Sequence, residues 1–116
     1  MNNCAFIGRL VRNVELRYTQ NGKAVANFTL AVSRGKEGVD FIRFVAWGKA
    51  AENLEKYTQK GDQLGIEGNL RISNYETPEG VKKERAEIWV NSFHFLGSRK
   101  KDEVAAGSED NEDIPF

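Results

Sequence analysis

Along most of the chain apolar and polar residues alternate with a period of two, the pattern of a strand with one covered and one open face. On this pattern residues 4–11, 14–19, 25–34, 40–47, 63–75 and 82–96 are predicted strands. The turns carry signals of their own. Asn21-Gly22 in "TQNGK" marks a hairpin between the second and third stretches. In "TPEG", residues 77–80, Pro78 is preset for the first central turn position and Gly80 closes the turn. The period changes once, in "GKAAENLEKYTQKG", where Ala51, Leu54 and Tyr57–Thr58 recur at helical spacing and Gly61 supplies a stop. From Gly97 onward the apolar periodicity ends, and "RKK" is followed by "VAAGSEDNED". That composition predicts a disordered tail over residues 98–116.

About five strand units, with one short helix between the third and fourth major ones, predict an all-β fold. The expected architecture is a five-stranded OB-fold barrel over residues 1–97, a scaffold used for oligonucleotides and oligosaccharides. At 116 residues the chain is one such domain plus an appendage, and it contains no internal repeat.

Two strands combine aromatic and basic residues. In "DFIRFVAWGK", Ile42, Phe44 and Ala46 share one face, while Phe41, Arg43, Val45 and Trp47 share the other. A guanidinium between two aromatics is costly inside a core. On an open groove the same trio is useful, because bases stack on aromatic faces and the cation meets phosphate. In "GIEGNLRISNY", Ile66, Gly68, Leu70 and Ile72 lie opposite Glu67, Asn69, Arg71, Ser73 and Tyr75. Taken singly, Tyr75 reads as a surface residue beside a turn and Trp47 as a barrel-end plug. Two stripes, each with its arginine, point to a binding face. Trp89, alternating with Glu87 and Asn91, fits either exposure or a subunit contact. The first strand is apolar on both faces, Cys4 and Phe6 against Ala5 and Ile7, which suggests self-association or a strand tucked under a loop.

Charge sharpens the picture. The formal net charge is zero, but residues 1–101 hold all 17 Lys and Arg with 11 Asp and Glu, a net +6. Residues 102–116 hold six acids and no base, a net −6. A basic body with an acidic tail suits a polyanionic partner. Other classes are disfavoured. No stretch of about 18 apolar residues could span a membrane. The start, "MNNCAFIGRL", lacks the basic, then apolar character of a secretory signal, so a cytoplasmic, reduced location is expected. One cysteine, Cys4, and one histidine, His94, make neither a disulfide nor a metal site, and no cofactor is expected. There is no nucleophile–base constellation. The clustered carboxylates sit in the tail, where nothing holds a metal geometry, so no enzymatic activity is expected.

Several segments carry a family resemblance: "IGRL", "ELRYTQNGKAVANFTLAVSR", "RFVAWGKAAENLEKYTQKGDQLGIEGNLR" and "YETPEG", in that order. From about residue 4 to 96 the chain resembles the bacterial and bacteriophage single-stranded DNA-binding proteins. The resemblance implies an OB barrel assembled as a homotetramer that binds single-stranded DNA in replication, recombination and repair, near the nucleoid. It implies stacking by Phe41, Trp47 and Tyr75, and basic contacts from Arg43, Lys49 and Arg71. The family's acidic C-terminal tip is matched by Asp113-Ile114-Pro115-Phe116, which implies recruitment of replication and repair enzymes. Phe116 would fill an apolar pocket and its carboxylate would meet a basic residue. "SRGKEGVD" and the tail are both shorter than in many bacterial members, which suggests a phage-encoded or accessory member. Two other functions use the same fold, an RNA-binding module or a protein-assembly adaptor.

Overall fold

The computed structural model describes residues 1–98. The expected disorder of the tail and the role of the tip therefore lie outside the described residues. Six strands follow one another: β1 (Cys4–Leu10), β2 (Glu15–Tyr18), β3 (Ala24–Ser33), β4 (Val39–Trp47), β5 (Gln63–Glu76) and β6 (Lys82–Gly97). One helix, α1 (Gly48–Tyr57), lies between β4 and β5.

The strands close into a ring. β1 pairs with β5 (Phe6↔Ile66) and with β3 (Leu10↔Leu30), and β3 pairs with β4 (Phe28↔Phe44). β4 meets β6 in a parallel seam of two pairs, Phe44↔Ile88 and Val45↔Trp89, and β6 returns along β5. β2 continues where β1 stops, since Leu10↔Leu30 is followed on the same partner by Glu15↔Asn27. β1 and β2 are thus two halves of one interrupted strand. Counted so, the barrel has five strands with the helix between the third and fourth, and the fold is the expected OB-fold.

The core explains the closure. Phe28 and Phe44 stack at 5.2 Å and 9°, and Phe6 meets Phe44 edge-on at 5.8 Å and 81°. Leu10, Leu30, Leu64, Ile66 and Ile88 fill the remaining volume. Burying each such side chain is worth about 1.5–3 kcal/mol. α1 plugs one barrel end with Ala51 and Leu54, three residues apart and both fully buried. Tyr57 does not join them and is exposed. The helix also stops earlier than Gly61: Thr58 takes an extended conformation, and its N–H and hydroxyl both donate to the Leu54 carbonyl. Gly61, at φ 92°, serves the return into β5, donating to the Leu10 carbonyl.

Both hairpin turns are built alike. Gly22 N–H donates to Thr19 O, and Thr19 Oγ1 accepts from Lys23 N–H. Gly80 N–H donates to Thr77 O, and Thr77 Oγ1 accepts from Val81 N–H. Each glycine has positive φ, 84° and 89°, the left-handed region in which a Cβ is disfavoured.

β5 and β6 run past the barrel as a long hairpin arm. Its root is a register shift between Glu67 and Gly68. Up to Gly68 the strand is barrel wall, with Leu64 and Ile66 buried. Beyond it the arm leaves the core behind, so Leu70 and Ile72, expected to continue the covered face, are exposed, Ile72 to 53%. Asn2 ties the chain's start to this root: its amide donates to Leu70 O and accepts from Leu70 N–H, each at 2.9 Å.

Candidate nucleic-acid interface

Period-two geometry sorts β4 as its sequence implies. Phe44 and Ala46 belong to the core, while Phe41 is 69% exposed and Arg43 is open to solvent. The outward face is not uniformly open, however. Val45 is buried and Trp47 half-buried, because β6 approaches that end of β4 through Val45↔Trp89.

The arm supplies the opposite wall. Tyr75 lies across from Lys83, Ser73 from Arg85, Arg71 from Glu87, and Asn69 from Trp89. In a twisted antiparallel pair the diagonal neighbours also meet. Accordingly the Arg85 guanidinium lies 5.1 Å from the Tyr75 ring, and that of Arg71 lies 4.2 Å from the Trp89 ring. Trp89 touches Trp47 at 5.5 Å and 48°, and Lys23 lies 5.3 Å from Trp47. Rings and cations therefore lie side by side from the arm to the β2–β3 turn, with Arg71 and Lys23 flanking the Trp89–Trp47 pair.

Two clefts adjoin on this surface. One, of about 400 Å³, lies between Phe41 and Arg43 on β4, Tyr75 on β5, and Arg85 on β6. The other, of about 300 Å³, shares Arg43 and Arg85 with the first and continues to Arg12 and Arg17. Glu15 and Glu87 also line it, leaving four arginines against two acids. The first cleft thus brings together three of the sequence-predicted residues, Phe41, Arg43 and Tyr75. Trp47 and Arg71 come together through Trp89 instead. Lys49, exposed in the first turn of α1, lines neither cleft.

Sequence reasoning overlooked Arg85, Arg12 and Arg17. Arg85 had a signal, since Arg85, Glu87 and Trp89 alternate on one face of β6. Arg12 and Arg17 had none, because the pairing of the interrupted first strand with β3, and of β3 with β4, sets them beside Arg43. Two polar details complete the site. Trp89 Nε1 donates to Glu87 Oε1 at 3.2 Å, whereas Trp47 Nε1 is buried without an acceptor among the described residues.

An open cleft walled by rings and floored by guanidinium groups suits a flexible polyanion with flat bases. Residues 1–96 match the Single-strand binding protein family. The chain belongs to that family. It is 44% identical over 109 residues to the Single-stranded DNA-binding protein of Lactiplantibacillus plantarum, covering 89% of this chain and 54% of that protein. To that of Halalkalibacterium halodurans it is 40% identical over 117 residues, covering 96% and 70%. To Single-stranded DNA-binding protein 1 of Streptococcus pyogenes serotype M18 it is 40% identical over 121 residues, covering 99% and 92%. The chain thus spans about half the length of the first of these relatives and most of the third. Within this single-strand binding protein fold, both clefts belong to the barrel and its arm, inside the matched residues.

Proposed function

We propose that the chain binds single-stranded DNA with little sequence preference, along a path through the two clefts and past Trp47, Arg71 and Lys49. Bases stack on Phe41, Trp47 and Tyr75, and Arg43, Arg71 and Lys49 meet the backbone together with Arg85, Arg12 and Arg17. The observation that carries this reading is Phe41, an exposed phenyl ring sharing an open cleft with Tyr75, Arg43 and Arg85. Every base has a π-face, so such stacking tolerates any sequence. Duplex DNA hides those faces and binds poorly.

The test is anisotropy of a labelled oligo-dT, with unlabelled duplex and poly-U as competitors. Affinity for oligo-dT should fall with salt, with a log–log slope of about −0.7 per neutralised phosphate. Equal affinity for duplex DNA would sink the reading, and tighter poly-U binding would redirect it to RNA. The oligonucleotide should stay intact in Mg²⁺, as befits a binding protein and not an enzyme.

The reading extends to assembly and partners. Ala5, Ile7, Gly65 and Leu96 line an apolar depression on the outer face of β1, β5 and β6, with Ile7 42% exposed. This face supplies one of the contacts of a homotetramer, in which the covered apolar area drives association. The chain works in the bacterial cytoplasm on nucleoid DNA, protecting single strands in replication, recombination and repair. Asp113, Ile114, Pro115 and Phe116 form the contact for enzymes of those processes, and the preceding acids steer the encounter. Deleting residues 102–116 should abolish capture of such enzymes. It should also tighten DNA binding at low salt, because six acids no longer compete for the basic clefts. Unchanged affinity after deletion would refute the competition.

A further inference from the structure

Beyond the Phe41–Tyr75 cleft, the face of Trp89 is already covered. The Arg71 guanidinium lies 4.2 Å from the ring centroid, about the separation of a stacked base. A flat guanidinium and a flat base compete for one face of an indole. The indole itself is held in place: Nε1 donates to Glu87 Oε1 at 3.2 Å, and Trp47 braces it at 5.5 Å. Arg71 is exposed and stands on a flexible stem, so its head can leave while Trp89 stays. We propose that Trp89 is a base-stacking subsite for which Arg71 is the placeholder. In the free protein the guanidinium covers the ring. An arriving base displaces it, and the freed guanidinium takes the neighbouring phosphate.

The exchange runs toward the base for two reasons. A cation over a ring still partly open to solvent is held more weakly than a stacked base. The displaced arginine also keeps a strong partner, because phosphate accepts its fork of N–H donors. Covering the ring has a use in the free protein, since it shields a large apolar face that would otherwise be open. The proposal rests on the single-stranded DNA reading above and adds a subsite to it.

The chain has two tryptophans, so Trp47→Phe leaves Trp89 as the sole indole reporter. The full chain carrying Trp47→Phe is titrated with oligo-dT while a labelled oligo-dT reports binding independently by anisotropy. Trp89 emission should be quenched in step with binding. In the same background without DNA, Arg71→Ala should raise acrylamide quenching of Trp89, because the cover is gone. With DNA, Arg71→Ala should make the salt slope shallower by about 0.7, one phosphate contact. Trp89→Leu should weaken oligo-dT binding about 5- to 150-fold. If Trp47→Phe does not fold, Trp47→Tyr keeps a ring there and gives the same readout. Binding seen by anisotropy with Trp89 emission unchanged overturns the subsite and leaves the DNA reading standing. Acrylamide access unchanged by Arg71→Ala overturns the placeholder. No binding of labelled oligo-dT to the unaltered chain overturns the DNA reading itself.

Discussion

Gly68→Ala is the perturbation that ties fold to site most directly. A Cβ at Gly68 would lie 2.1 Å from the Trp89 carbonyl oxygen, 2.9 Å from the Trp89 carbonyl carbon and 3.0 Å from Ile88 Cγ2. Comfortable heavy-atom contact is about 3.5 Å, so β6 must retreat by roughly 1 Å. Backbone cannot give way by changing rotamer. Moreover, Ile88 and Trp89 are the two residues that pair with β4 and close the barrel. Overpacking costs about 1–3 kcal/mol, and an obstruction of backbone at the closing seam belongs at the upper end. For a domain of this size each kcal/mol lowers Tm by about 4–8 °C, so a drop of about 10–25 °C is expected. The assay is thermal melting by circular dichroism at matched protomer concentration, since association shifts Tm. The same retreat pulls Trp89 from its place beside Val45 and Trp47, so oligo-dT affinity should fall with stability. A Tm within about 3 °C of the parent would refute the claim that β5 and β6 need a glycine to cross here.

Three further outcomes are expected. Phe41→Ala should weaken oligo-dT binding about 5- to 150-fold, the loss of one stacked base, with a near-parental Tm because the ring lies outside the core; unchanged affinity would remove Phe41 from the interface. Ile7→Glu puts a charge on the outer face of β1, and light scattering should then show a mass moving toward the 13.1 kDa protomer; an unchanged mass would place association on another face. Tyr18 should ionise above its ordinary value of 10.0, chiefly because the Glu52 charge opposes a second negative charge, with desolvation and the hydrogen bond to Glu52 adding to it. Its folded-state pKa lies above the unfolded one, so the stability it lends is complete below pH 10.0 and is lost as pH rises through the folded value. Tyrosinate absorbance in Glu52→Gln should show that shift reduced; an unmoved titration would assign it elsewhere.

Local alternation made much of this protein legible. The faces of β4 follow from period two alone, which is why Phe41 and Arg43 were separable from Phe44 and Ala46 without coordinates. Both turns were legible for a similar reason, since each needs a glycine at a left-handed position and the chain supplies Gly22 and Gly80. Where a third strand intrudes, alternation misleads: Val45 sits on the open face of β4 yet is buried under β6. Tyr57 misled in the opposite way, continuing a helical stripe past the edge of the barrel that α1 covers.

By itself, then, the sequence determined the elements, their turns, the Phe44–Ala46 core face of β4 and the presence of aromatic–arginine stripes. These are short-range consequences of side-chain period and backbone sterics. Tertiary structure decided which stripes share a cleft. The two-pair seam between β4 and β6 sets Phe41 and Arg43 against the arm. The shift at Gly68 turns that arm off the barrel and exposes Leu70 and Ile72. The halves of the interrupted first strand carry Arg12 and Arg17 to Arg43, and the diagonals of β5 and β6 lay Arg71 on Trp89 and Arg85 on Tyr75. These contacts join residues far apart along the chain. They depend on closure, register and twist, which no local pattern of apolar and polar residues specifies.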